Sequence, residues 1–338
     1  MSSSYPSSLV NIQTSDQFDT QPTYGQLLRR PCLPQYAAAL RIYSLLDGGP
    51  VNGRAKRLSE CRENAWFTRH IDTGEVRVAS SACSLRWCPI CSNARRNYVT
   101  HEIAEWLCSA DHPKLITLTL KHTNAPLSHQ IEHLYKFFRE LRRRKEIKAA
   151  ITGGVWFFQI KKSKTDGMWH PHIHALVTGL YFPRKRLSNI WAQITYGSMV
   201  TDIRPIYDPR GVANDVARYA TSPGSLVDLA PDDALDMVES LHGRRICGTW
   251  GSGRGVSLRP KLATEKGKWK SLGSWSVVLG MAPGSPGARA IIFSWKTGTP
   301  LGEGITCCNV EALLNNLSDD AWANYDFETV FAHEREPP

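Results

Sequence analysis

Trp169-His170-Pro171-His172-Ile173-His174-Ala175-Leu176-Val177 is the stretch on which the reading of this chain turns. After Pro171, polar and apolar residues alternate into β-branched and aliphatic positions, the pattern of a strand with one buried face. Side chains two apart on a strand point the same way, so His172 and His174 present neighbouring imidazoles. His170 joins that column only if the strand begins before Pro171, a point that proline near a strand start leaves open. Two neutral imidazoles at i and i+2 make half of a divalent-metal site, with room for a further protein ligand and for substrate oxygens. The competing reading is a structural histidine pair, because spacing alone does not fix a metal.

Working outward, Val155 to Ile160 reads as a second strand, and Lys161 to Gly167 turns the chain back as a hairpin. That pairing brings Gln159 near His172 or His174. Upstream, Lys114 to Leu120 reads as a buried strand with alternating threonines. Ile131, Leu134, Phe138 and Leu141 then recur at helical spacing behind Ser128, the expected N-cap. The run Arg142-Arg143-Arg144-Lys145 that follows is a solvated face or a phosphate contact. Downstream come a helix over Pro183–Ile194 that starts with Arg184, Lys185 and Arg186, a strand over Met199–Pro205, and a helix from Val212 to Tyr219. A short helix at Asp233–Leu241 and a strand from Arg244, beside Arg245, lead to Gly251-Ser-Gly-Arg-Gly255. The order β-α-β-β-α-β predicts an α+β fold, an antiparallel sheet with helices on its face in an RRM-like, ferredoxin-like layout.

The net charge of +10 is uneven, because the segment after Val310 is acidic at −6 and leaves the rest of the chain at +16. So basic a body suits a polyanion, most simply nucleic acid. No phosphate-loop motif occurs, which argues against a nucleotide-driven motor. Nine cysteines, an odd and clustered set, suit a reducing compartment and metal binding better than a disulfide framework. Cys88-Pro-Ile-Cys91 places two thiolates on one turn, and Cys61 with Cys83 completes a four-thiolate zinc site. No signal peptide and no uninterrupted apolar span are visible, so the expectation is a cytoplasmic protein with no membrane contact. The expected division is a disordered tail over 1–45, a four-cysteine zinc-binding unit and helix over 46–110, a catalytic domain over 111–262, and a C-terminal appendage over 263–338 ending in the acidic tail.

On the helix that follows the histidine strand, Asp215 and Tyr219 stand one turn apart. With an H-x-H strand, a basic body and a zinc unit, a tyrosine nucleophile acting on a phosphodiester is the best account. The chain here resembles the single-tyrosine rolling-circle replication initiators of small plasmids, within the HUH endonuclease superfamily. The resemblance runs from about Cys61 to Gly255 and is carried by Cys88-Pro-Ile-Cys91, Leu115-Ile-Thr-Leu-Thr-Leu120, the His-Pro-His-Ile-His strand and Val216-Ala-Arg-Tyr219. It implies that His172 and His174 hold Mg²⁺ or Mn²⁺ against the scissile phosphate. It implies too that Tyr219 attacks the phosphorus to leave a 5′-phosphotyrosine, and that Asp215 activates the nucleophile of the closing step. Single-stranded or hairpin origin DNA is the implied partner, with a host helicase and polymerase acting afterwards. Arg184, Lys185, Arg186, Arg218, Arg244 and Arg245 are the candidate DNA contacts.

Three positions depart from the family pattern. Gln159 stands where relatives commonly carry a glutamate ligand, Asp215 is a methylene shorter than the usual glutamate, and no lysine follows Tyr219 closely. Asp202, His122 or His170 are the alternative metal ligands. Two rival functions use the same residues: a transposase of a mobile element with the same chemistry, and a non-catalytic zinc-containing nucleic-acid-binding protein.

Overall fold

The computed structural model describes residues 22–49, 51–121, 123–222, 224–259 and 267–305. Among them are strands β1 (Ala65–His70), β2 (Val76–Ser80), β3 (Lys114–Thr119), β4 (Ile151–Lys162), β5 (Trp169–Gly179), β6 (Thr201–Pro205), β7 (Cys247–Gly251) and β8 (Trp269–Ser274). They form two sheets, ordered β6-β3-β5-β4-β7 and β2-β1-β8, and every neighbouring pair is antiparallel. The protein is thus α+β with antiparallel sheets and helices.

The chain divides into two compact units, one of residues 31–59 and 83–262 and the other of 1–30, 60–82 and 263–338. In the larger unit, β3 leads through helices Leu127–Leu141 and Lys145–Ala150 to the β4–β5 hairpin. Helix Arg184–Thr195 then leads to β6. The histidine strand β5 is central and the later β7 extends the sheet beyond β4. Gly153 makes that extension possible, since a Cβ there would lie 2.1 Å from the Ser252 nitrogen, and Gly154 serves the pairing with β5, where a Cβ would lie 2.1 Å from the Leu176 carbonyl oxygen. Only bare backbone fits so close an approach.

One face of this sheet carries Phe158, Ile173, Ala175 and Val177, all essentially inaccessible to water. Helices Leu127–Leu141 and Arg184–Thr195 cover it. Tyr135 and Phe138 meet Trp156 at ring distances of 5.5 and 6.0 Å, and the Trp191 indole donates to the Thr119 carbonyl at 2.9 Å. Each large side chain buried there is worth about 1.5–3 kcal/mol. The expected cap Ser128 lies inside its helix, and Pro126 holds the N-cap position.

The opposite face carries Leu115, Val155, Phe157 and Leu176, which pack with Val99, Ile103 and Leu107 of helix Pro89–Ser109 and with Ala213, Val216 and Ala217 of helix Pro209–Thr221. His172, His174 and Gln159 lie on this same face, farther along the strands.

The structure parts from the sequence reading at both ends. Within residues 1–45, assigned to a disordered tail, lie helix Tyr24–Arg29 and most of helix Leu33–Asp47. The Ala- and Leu-rich run after Pro34 satisfies helix propensity, and Thr23 caps the first helix with a full capping box. The hairpin β1–β2 does not end with its own turn, since β1 also pairs with β8 from beyond residue 262. A two-stranded hairpin alone is marginal in water, and the third strand with Trp275, Val278 and Ile291 gives Phe67 a core. Residues 306–338, with Cys307, Cys308 and the acidic tail, lie outside the described residues.

Candidate active site

Strand register assembles the site. Thr119, His172 and Gln159 form one cross-strand row over β3, β5 and β4, and Asp202, Thr117, His174 and Phe157 form the next over β6, β3, β5 and β4. Because β5 starts at Trp169, His170 belongs to the same column, opposite Lys161. Pro171 falls where β5 has run past the last β3 pair, so it interrupts no two-sided ladder.

Both imidazoles are mostly buried, and burial lowers their pKa, to about 4 at His172 and about 3 at His174. The hydrogen bond to the His170 carbonyl opposes this at His172, while the positive charge of Lys161 adds to it at both rings and that of Arg204 adds to it at His174. Both rings are therefore neutral near pH 7. His172 Nδ1 lies 3.0 Å from the His170 carbonyl oxygen, which accepts only, so its proton sits on Nδ1 and Nε2 keeps a lone pair. His174 Nδ1 lies 3.2 Å from Thr117 Oγ1. The two Nε2 atoms converge on one atom, Gln159 Oε1, with His174 at 2.9 Å and His172 in close contact.

A lone-pair nitrogen facing a carbonyl oxygen repels it. The convergence makes sense if a cation sits among the three donors, or if the amide is turned to offer its N–H₂. Two imidazole nitrogens and an amide oxygen make a partial donor set for a divalent cation, with the remaining positions left for water and substrate oxygens. Of the alternative ligands, Asp202 lies two strands from His174 and His122 lies outside the described residues.

Tyr219 stands over this site. Helix Pro209–Thr221 begins with proline at its first position and with Asp208 accepting from the Gly211 N–H at 3.0 Å. Val212, Val216 and Tyr219 follow at helical spacing toward the sheet, which carries the phenol ring onto His174. The two rings stack with centroids 4.9 Å apart and planes 15° from parallel. His172 and His174 meet edge to face at 5.1 Å. Asp215 behaves differently: its exposed carboxylate pairs with Arg218 at 3.3 Å, and the Arg218 guanidinium lies 5.8 Å from the Tyr219 ring centre.

Of the six proposed DNA contacts, Arg218 lies beside the tyrosine. Arg184 donates to the Thr201 carbonyl, and Arg186 lies over Phe182. Both belong with Lys185 to the helix on the other face. Arg244 and Arg245 lend backbone carbonyls to Arg86 and Tyr135. Sequence reading passed over Thr117, Thr119 and Lys161. The alternating threonines of β3 were visible, but nothing local said that they would neighbour the histidines.

The cysteine cluster is also formed. Within one compact unit, Cys83, Cys88 and Cys91 bring their sulfurs within 4.8 Å of one another, with the first two buried, three thiolates of a set compatible with structural zinc. No helix among the described residues is long and apolar enough to cross a membrane.

Comparison with known proteins points the same way. A family model described as replication protein matches residues 75–254, just over half of the chain. The chain is 29% identical over 180 residues to a protein of Bacillus amyloliquefaciens named Protein rep, across 50% of this chain and 53% of that one. It is 27% identical over 169 residues to a Protein rep of a Bacillus species, across 47% of this chain and 55% of the relative. It thus spans about half the length of the curated relatives it matches. No solved structure matches it.

Proposed function

The chain belongs to the replication protein family, and from that premise we propose that it initiates plasmid rolling-circle replication by nicking and rejoining single-stranded origin DNA through Tyr219. The observation that carries the reading is the stack of Tyr219 on His174, which sets a phenol beside two neutral imidazoles whose Nε2 atoms share one focus. The sheet order around it, with β6-β3-β5-β4 standing fourth, first, third and second in chain order, supports the ferredoxin-like, HUH-type layout.

In this reading the phenolic oxygen forms a bond to phosphorus, the bond from phosphorus to O3′ breaks, and the phenolic proton leaves through solvent while O3′ takes one up. The product is a 5′-phosphotyrosine and a free 3′-hydroxyl that a host polymerase extends. The covalent link conserves the phosphodiester energy, so a later 3′-hydroxyl can rejoin the strand by the reverse exchange. His172, His174 and Gln159 would hold Mg²⁺ or Mn²⁺, which supplies neutralisation of charge on the phosphate oxygens. Thr117 orients His174, and the His170 carbonyl fixes the tautomer of His172. Asp215 takes up the proton of the closing nucleophile after release from Arg218. Cys61, Cys83, Cys88 and Cys91 hold structural zinc, which elemental analysis reads as one equivalent lost in Cys88→Ser/Cys91→Ser.

The test is a covalent adduct. Purified protein incubated with single-stranded origin DNA and Mn²⁺ should retain the cleaved strand through denaturing electrophoresis, with the labelled peptide containing Tyr219. An adduct that persists in Tyr219→Phe, or maps to another residue, overturns the assignment.

A further inference from the structure

Helices Pro89–Ser109 and Pro209–Thr221 cover only part of their face of the sheet. Beyond Leu115, Val155 and Leu176 the strands continue into an open concavity of about 390 Å³, lined by Thr117, Thr119, Lys161, Ser163, His170 and His172. Lys162 also borders it but is committed elsewhere, paired with Asp233 and lying 5.1 Å over the Trp169 ring. Lys161 is exposed, and no described residue forms a hydrogen bond or ion pair with its ammonium. Its register opposite His170 keeps it on the histidine face.

At the other border, the Thr119 N–H donates to the Val200 carbonyl at 3.3 Å, which continues the β3–β6 ladder by one step. Val200 therefore sits beside Thr119 on the same face as Asp202, and it is 72% exposed, with Met199 next to it at 62%. A strip with an uncommitted ammonium at one side, hydroxyls along its floor and bare aliphatic surface at the other complements a single nucleic-acid strand. Such a strand offers a phosphate and an unpaired base within one nucleotide of each other.

We infer that this strip binds the single-stranded DNA flanking the scissile phosphate, with Lys161 on one neighbouring backbone phosphate and Val200 against one neighbouring base. The inference rests on the nuclease reading for its substrate, but it makes a separate claim about Lys161 and Val200, to which that reading gives no part in the reaction.

Binding is measured in the Tyr219→Phe background, without metal, by fluorescence anisotropy with an origin oligonucleotide at several salt concentrations. Lys161→Gln should weaken affinity about fivefold and reduce the salt slope by about 0.7, the value for one phosphate contact on a single strand. Its effect should vanish when one particular phosphate beside the cleavage site is replaced by methylphosphonate. Val200→Asp should weaken binding about tenfold, and an abasic site at one position should remove the difference. Lys164→Gln, the same charge change on the hairpin turn, serves as the control. Unchanged affinity in Lys161→Gln, or a loss that no single methylphosphonate abolishes, overturns the inference even if the adduct forms. A linkage-specific effect without any adduct upholds the strip and discards the nuclease.

Discussion

The two faces of the five-stranded sheet are made by alternate residues of the same strands, yet they do opposite things. On one, Phe158, Ile173, Ala175 and Val177 are sealed beneath two helices that bring Ile131, Leu134 and Trp191 onto them. On the other, the apolar packing of Leu115, Phe157 and Leu176 gives way along the same strands to Thr117, Thr119, His170 and His172. A one-residue slip of β5 would exchange the two faces. The sealed face is what makes that slip prohibitively costly. Hydrophobic burial on one side thus holds two histidines in register on the other, and the site needs few stabilising contacts of its own.

Substitutions should separate the faces cleanly. Tyr219→Phe should lower adduct formation by on the order of a thousandfold or more, because the proposed reading makes the Tyr219 hydroxyl the nucleophile. It should leave the melting temperature nearly unchanged, since the ring still stacks on His174. Trp191→Ala should do the reverse. It removes a wholly buried indole and leaves the Thr119 carbonyl without its donor, at a cost of about 3–5 kcal/mol in denaturant unfolding. Activity per folded molecule should survive. If Tyr219→Phe destabilised the protein as much as Trp191→Ala, the stack would be structural and the contrast between faces would fail.

Acid should discriminate next. Both histidines are held well below the ordinary value near 6.5, to about 4 and about 3, chiefly by burial. The unfolded chain therefore binds more protons than the folded one as pH falls below 6.5, and stability is lost through the window from there down to about 3. His172→Ala/His174→Ala should flatten that slope in urea titrations between pH 6.5 and 4. Adduct formation in the native protein should persist at pH 5.5, where free imidazole is mostly protonated. A slope unaltered by the double substitution would place the titrating groups elsewhere.

Much of this arrangement was legible before any coordinates. The alternation through Ile173–Val177 named the strand, and its period of two put His172 and His174 together, because a sheet with one sealed face transmits its pattern into the sequence. Gln159 was reachable from hairpin register alone. Lys161 and Val200 were not, since their roles depend on where two helices stop covering the sheet, which no local pattern records. The run Arg184–Arg186 shows the complementary limit: charge at a helix start says that the residues face water, not which side of the sheet the helix occupies. The pairing of β1 with β8 was hidden because about 200 residues separate the partners and neither strand carries a mark of the other.

The smallest and sharpest test concerns Gln159, which is buried at 7% exposure between the two Nε2 atoms. Gln159→Glu keeps the shape and replaces a neutral oxygen by a carboxylate. Without metal, that charge is buried against nitrogen lone pairs, so the substituted protein should melt a few degrees lower. With Mn²⁺ the same charge becomes the strongest ligand of the three. Calorimetry should then show affinity raised about tenfold, within the range by which groups around a metal tune it, and Mn²⁺ should restore more thermal stability than it gives the native protein. The opposite result has an equally definite meaning. If the glutamate lowers stability and Mn²⁺ recovers none of it, the amide is turned to donate to both histidines. The focus of the two rings is then a hydrogen bond, and the open face binds DNA without a cation at its centre.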